Sequence, residues 1–326
     1  MNSKAYYDVD RVSSSSLKWF KESPLFYRMM KDKEIEIEEK KWQDLGRQLH
    51  MLILEPEEFD KNFIYLEFET PKSPQQKQFC EDIIMGKDLI DAYKDNYASA
   101  KKSEDKIKAE AEALKSQLSS YIEYLDKSRT YKSILNKTTW NYLNKAKDVL
   151  LSHKVASELL IDKVEDSLRD SYVSRNEFEI FWESPKHNLK CKSMLDRLII
   201  DHDKKVVTLI DIKTTSSLKD FNKKIIEYGY HEQLAFYWMA LYWYYKYEEE
   251  IDISLYQHRT FIIAISTGDA VECRVFQLFD RVLSAGFDEI NRIMNELSFH
   301  YSKNLWDHPR DYYEGDGIEK MYTEEV

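Results

Sequence analysis

The chain has 326 residues, enough to bury a large core as one big domain or two ordinary ones. Its 23 Tyr, 15 Phe and 7 Trp, against only 7 Gly and 6 Pro, argue for a packed, helix-rich globule and against a disordered chain. A net charge of −11 argues against a protein that coats nucleic acid through one broad basic surface, but not against a local basic groove beside metal-binding carboxylates.

No charged-then-apolar leader opens the sequence and no run of about 18 apolar residues occurs, so the expectation is a cytoplasmic protein without membrane contact. Cys80, Cys191 and Cys273 are an odd number, far apart, and form no C-x-x-C, which argues against a disulfide framework, a zinc knuckle or a four-cysteine iron–sulfur cluster and favours buried, unpaired cysteines.

In chain order, Ser13 to Ser16 read as a serine N-cap feeding an amphipathic helix through Leu17, Lys18, Trp19 and Phe20, stopped at Ser23-Pro24. That cap accounts for the serines without a nucleophile. An acidic-rich solvated stretch follows over Lys31 to Lys41. The spacing of Trp42, Leu45, Leu49, Leu52 and Ile53 predicts a helix that ends before Pro56 and carries His50. Residues 73–160 are rich in Lys, Glu, Ala and Leu and predict a helical arm or insertion. Within it Ile107, Ala111, Leu114, Leu118, Tyr121 and Leu125 form a short seam suited to intramolecular packing.

After Asp170 the pattern turns to strands, Glu177 to Trp182, Lys190 to Ile200 and Val206 to Lys213, with Asp201 to Lys204 as a turn, which together read as an antiparallel meander. Helices are predicted at about Ser217 to Glu227 and Tyr230 to Tyr247, strands at Tyr256 to Ile265 and Val271 to Gln277, and a last helix over Asp280 to Lys303. The fold class is α+β: a mixed central sheet flanked by helices. Residues 1–326 are read as one domain, with 307–326 an aperiodic, acidic, flexible tail.

The chemistry concentrates where Asp211-Ile212-Lys213 leaves the apolar run Val206 to Ile210. Residues two apart share a strand face, so Asp211 and Lys213 project together. A carboxylate that binds Mg²⁺ beside an amine that orients water and offsets phosphate charge suits metal-assisted hydrolysis. One strand earlier, Asp196 stands in Met194-Leu195-Asp196-Arg197-Leu198, and a hairpin would bring it opposite Asp211, where a divalent cation relieves their mutual repulsion. Taken singly, either acid reads better as a strand-end salt bridge. His50 alone reads as a packed helix histidine, although Gly46 one turn before it leaves room for a close approach. Glu179, among apolar strand neighbours, reads first as an ion-pair partner and second as a further site carboxylate, and Tyr230 reads first as core or rim of its helix and second as a ring for stacking on unpaired bases. Gln233 and Tyr237 are four apart and share a helix face. No G-x-x-x-x-G-K-[ST], G-x-G-x-x-G or H-E-x-x-H is present, so ATP hydrolysis, a dinucleotide cofactor and metalloprotease chemistry are not expected.

Gly46-Arg47-Gln48-Leu49-His50 with Leu54-Glu55-Pro56, Cys191 to Arg197, Asp211-Ile212-Lys213-Thr214-Thr215, Tyr228-Gly229-Tyr230 and Gln233-x-x-x-Tyr237 occur in that order. In this set the chain resembles the RecE-type (exonuclease VIII-like) phage exonucleases of the PD-(D/E)XK superfamily, to which RecB-type nucleases and lambda exonuclease also belong. The resemblance implies a restriction-endonuclease-like fold. It implies Asp196 and Asp211 as metal ligands, Lys213 as the catalytic lysine, His50 as an additional metal-side residue, and Gln233 with Tyr237 supporting the site or the DNA backbone. It further implies Mg²⁺, or Mn²⁺ in its place, and 5′ to 3′ digestion of linear double-stranded DNA ends. The partners it implies are a single-strand annealing recombinase and further copies of the chain in a ring such as a tetramer, in a bacterial host cell. The chain departs from the family in the long stretch 73–160, and in an Asp within the catalytic triplet where many members carry Glu. The rival readings are a structure-specific endonuclease of the same superfamily, an inactive nuclease-like DNA-binding protein, and a structural helical-arm protein that leaves the Asp211–Lys213 strand without purpose.

Overall fold

The computed structural model describes residues 3–35, 41–97, 102–131 and 133–318. Within the expected acidic stretch 31–41, residues 36–40 lie outside the described residues, as do residues 319–326 of the acidic tail. By its internal contacts the chain divides into one unit made of 1–54 with 146–326, and a second made of 55–145.

The first unit is built on five strands in sequential order: β1 (Tyr172–Ser184), β2 (Leu189–Asp201), β3 (Val206–Thr215), β4 (Gln257–Ser266) and β5 (Cys273–Leu278). The first three form the expected antiparallel meander. Asn188 and Lys205 stand in the left-handed region at its two turns, with φ of 51° each. β3 and β4 run parallel along their whole length, so a long crossover must join them, and β5 returns antiparallel. The sheet is therefore mixed. β3 is buried on both faces through Val207, Leu209, Ile210 and Ile212, as an apolar run without alternation requires.

Five helices position the site: α1 (Ser14–Glu22), α2 (Lys41–Leu54), α3 (Phe221–Glu227), α4 (Tyr230–Tyr247) and α5 (Asp280–Lys303). Ser13 caps α1 as expected. Its hydroxyl accepts the Ser16 amide at 3.2 Å, and its own amide donates to Ser16 Oγ at 2.8 Å. α4 has no polar side, because Leu234, Ala235, Phe236, Trp238, Ala240 and Leu241 are all buried between the sheet and α5. Gly229, at φ 65°, separates α3 from α4 in a conformation that a Cβ would strain. No helix among the described residues is long and apolar enough to cross a membrane.

The second unit packs the helices Pro74–Ile84, Leu89–Asn96, Glu104–Gln117 and Ser119–Lys127 around Phe79, Cys80, Ala92, Tyr93 and the seam residues Ile107, Ala111 and Leu118. Leu118 interrupts the seam between two helices, and Leu114, Tyr121 and Leu125 pack on the same core. The seam is spent within the unit. Two three-residue strands, Phe63–Tyr65 and Ser133–Leu135, pair in parallel.

Candidate active site

The β2–β3 ladder ends at Arg197↔Ile210, so Asp196 and Asp211 are the next residues on either strand. They do not continue the ladder. Instead an Asp196 carboxylate oxygen, Oδ2, accepts the backbone amide of Ile212 at 2.7 Å, which satisfies a buried donor where the strands part. On the β2 edge that β3 has left, Val12 bridges to Cys191, with Lys192 N donating to Val12 O at 2.7 Å.

Asp211 is 1 % exposed. Its Oδ1 accepts from Lys213 Nζ at 2.8 Å and from Gln233 Nε2 at 3.5 Å. Its Oδ2 lies 2.7 Å from the same ammonium, yet receives no hydrogen bond of normal geometry among the described residues. Burial, with the Asp196 charge added, pushes the Asp211 carboxyl up to about 6 against the opposing pull of Lys213 and His50. For Lys213, burial works against the charged form, but the Asp211 and Asp196 carboxylates outweigh it and raise the pKa. Lys213 is therefore an ammonium, matched to the role of offsetting negative charge.

Three metal-capable side chains converge beside this pair. One ligand atom each from His50, Glu177 and Asp196 lies within 4.8 Å of the others. His50 comes from α2, and Gly46 one turn earlier lets that helix approach β3: a Cβ there would stand 3.1 Å from Thr214 Oγ1. His50 Nε2 lies 2.8 Å from the Ile212 carbonyl, an acceptor only, so Nε2 carries the proton and Nδ1 of the neutral ring keeps its lone pair. Nδ1 faces Asp196 Oδ2 at 3.5 Å and Glu177 Oε1 at 3.9 Å. An imidazole oriented through its second nitrogen, with two carboxylates, fits a divalent cation with oxygen and nitrogen ligands.

Gln233 and Tyr237 extend from α4. Gln233 Nε2 donates to Tyr237 Oη at 2.7 Å and thus joins the tyrosine to Asp211. Burial, then the Asp196 and Asp211 charges, raise the Tyr237 pKa well above its usual value and keep it a neutral phenol. Lys213 Nζ stands 5.2 Å from the centroid of the Tyr230 ring.

The fold thus gathers His50, Asp196, Asp211, Lys213, Gln233, Tyr237 and Tyr230 around the parting of β2 and β3. Glu179 pairs with Met194 and stands outside the three-residue cluster. Glu177, which sequence reasoning missed, stands inside it. The flanking pairs Asn176↔Arg197 and Phe178↔Leu195 put Glu177 opposite Asp196, and its φ of 44° removes it from the ladder. Alternation places 177 and 179 on one face, so the signal lay in hairpin register and not in residue type.

A family model described as "PDDEXK-like domain of unknown function (DUF3799)" matches residues 13–306. A solved structure from Eubacterium rectale, provisionally described as an exonuclease, is similar in fold with a TM-score of 0.52 at 11% sequence identity, covering 99% of this chain and 96% of that one. No curated protein matches.

Proposed function

Because the chain belongs to the family of PDDEXK-like domains just described, we propose that it is a metal-dependent deoxyribonuclease acting as an exonuclease on the ends of linear double-stranded DNA. One observation carries this reading: a His50–Glu177–Asp196 donor set stands directly beside the buried Asp211–Lys213 pair where β2 and β3 part. His50, Glu177 and Asp196 would hold a divalent cation, Mg²⁺ or Mn²⁺, with Asp211 the nearest further carboxylate. When bound, the cation supplies positive charge that polarises a phosphodiester and acidifies an attacking water.

The chain's own groups do the rest. Lys213, an ammonium fixed by Asp211, places charge where the phosphorane-like transition state accumulates negative oxygen. Asp211 orients that ammonium from the strand, with both carboxylate oxygens within 2.8 Å of Nζ. Gln233 and Tyr237 hold Asp211 from the helix side, so the carboxylate needs no reorganisation during the reaction. Restriction to DNA ends, a 5′ to 3′ direction and supply of single strands to an annealing recombinase follow from the resemblance of the motif set to RecE-type enzymes. The exonuclease description of the similar Eubacterium rectale structure supports the same reading.

The test incubates linear and covalently closed duplex DNA with the full chain and Mg²⁺, beside Asp211→Asn and an EDTA control. Loss of linear DNA alone, abolished by both controls, is the expected result. Cutting of closed circles points to an endonuclease, and no metal-dependent loss of either substrate overturns the nuclease reading in favour of a DNA-binding role.

A further inference from the structure

The cations around Asp211 are not equivalent. Lys213 is held by Asp211, and Lys21 pairs with Glu232 at 2.8 Å and Glu289 at 3.5 Å. Lys224 donates to Thr215 Oγ1 at 3.3 Å and to Ser217 O at 3.0 Å. Lys18, on the exposed side of α1, has no carboxylate within ion-pair distance among the described residues. Its ammonium donates to the Tyr228 carbonyl at 2.9 Å, which leaves donors unspent.

Lys18 Nζ lies 5.6 Å from the centroid of the Tyr230 ring, and Lys213 Nζ lies 5.2 Å from the same centroid. Two ammonium groups thus bracket one half-buried ring. Burial presses the Lys18 pKa down and the Lys213 charge presses it further, against the opposing pull of Asp211 and Glu232. The position is also firm. α1 is fixed by its capping box at Ser13 and by Leu17 and Phe20 in the core, so the lysine is presented by a rigid element. A nucleic-acid strand carries one phosphate after another, so a strand whose scissile phosphate meets Lys213 presents a neighbouring phosphate to a cation close by.

We propose that Lys18 is a positioning residue that holds the phosphodiester adjoining the scissile one on the strand being cut. This rests on the nuclease reading. Lys18 acts through the strand's placement, so its removal weakens substrate capture more than the chemical step.

The experiment measures binding of the full chain to a short fluorescent DNA duplex in Ca²⁺ across a KCl series, and steady-state cleavage in Mg²⁺. Lys18→Gln removes the charge and leaves a shorter polar side chain, Lys18→Glu reverses the charge, and Lys18→Arg keeps it. The plot of log affinity against log salt is expected to lose roughly 0.7–0.9 of slope in Lys18→Gln, one phosphate contact, and more in Lys18→Glu. KM rises several-fold with kcat largely kept, and Lys18→Arg restores both. Lys246→Gln, at the far end of α4, is the unaffected control. Wild-type slope and KM in both Lys18→Gln and Lys18→Glu overturn this inference while leaving the nuclease reading intact. A wild-type chain that neither binds nor cuts DNA overturns the nuclease reading itself, and the inference with it.

Discussion

Asp196 serves two neighbours through one oxygen: Oδ2 accepts the Ile212 amide at 2.7 Å and lies 3.5 Å from His50 Nδ1. The backbone bond fixes the carboxylate, so its approach to the imidazole is set by strand geometry and not by a free rotamer. Glu177 reaches the same point at a backbone cost of about 1–3 kcal/mol, since a non-glycine residue at φ 44° within a strand is strained. Such strain persists where surrounding contacts over-determine it, and here it turns a carboxylate toward His50. If Glu177 is a cation ligand, Glu177→Gln weakens Mn²⁺ binding on the order of tenfold, about 1.4 kcal/mol, whereas Glu179→Gln leaves it unchanged. Titration calorimetry of the two variants decides it; equal losses would remove the distinction between these acids.

At the scale of elements, α4 and α5 are held in close contact by a missing side chain. A Cβ on Gly286 would stand 2.5 Å from the His231 carbonyl oxygen and 2.9 Å from its carbon, both backbone atoms that cannot rotate away. Gly286→Ala is therefore expected to destabilise the chain by about 1–3 kcal/mol, read as a lower urea midpoint. An unchanged midpoint would mean that the two helices separate without loss. Because α4 carries Gln233 and Tyr237, the same variant loosens the support behind Asp211. The parting of β2 from β3 works at this scale too. Past Arg197↔Ile210 the ladder stops, and the Ile212 amide is taken by the Asp196 carboxylate in place of a cross-strand carbonyl.

Across the whole molecule the net charge is −11, yet the chemistry needs local cations, and some carboxylates far from the site hold cations of their own. Asp201 at the end of β2 is one. Arg169 donates to its Oδ2 at 2.8 Å, and the Lys204 amide to its Oδ1 at 3.0 Å. The Arg169 hydrogen bond, and after it Lys204, hold this carboxyl well below the usual range despite burial. A folded pKa depressed below the unfolded value of about 3.9 gives stability that is fully present above that value and is lost as pH falls toward the folded pKa. Asp201→Asn should lower stability at neutral pH and flatten its fall between about pH 5 and pH 3 in urea melts. Parallel curves for variant and wild type would show that Asp201 carries none of the acid sensitivity.

The sequence by itself determined the element order and the mixed sheet, because those features rest on local periodicity, and it singled out several side chains that the fold brings together in the candidate site. The apolar run Val206–Ile210 ending in Asp211-Ile212-Lys213 reads as a buried strand with two polar groups on one face. Gln233 and Tyr237 share a helix face by spacing alone. The polar start of β1, Tyr172 to Asn176, has no such period, so the strand is longer than its pattern shows. Only the tertiary structure decided that Glu177 and not Glu179 faces His50, and that Lys18, 195 residues before Lys213 in the chain, flanks the same tyrosine ring. Register across a hairpin and the approach of a distant helix are set by long-range packing. No local pattern of residue types encodes them.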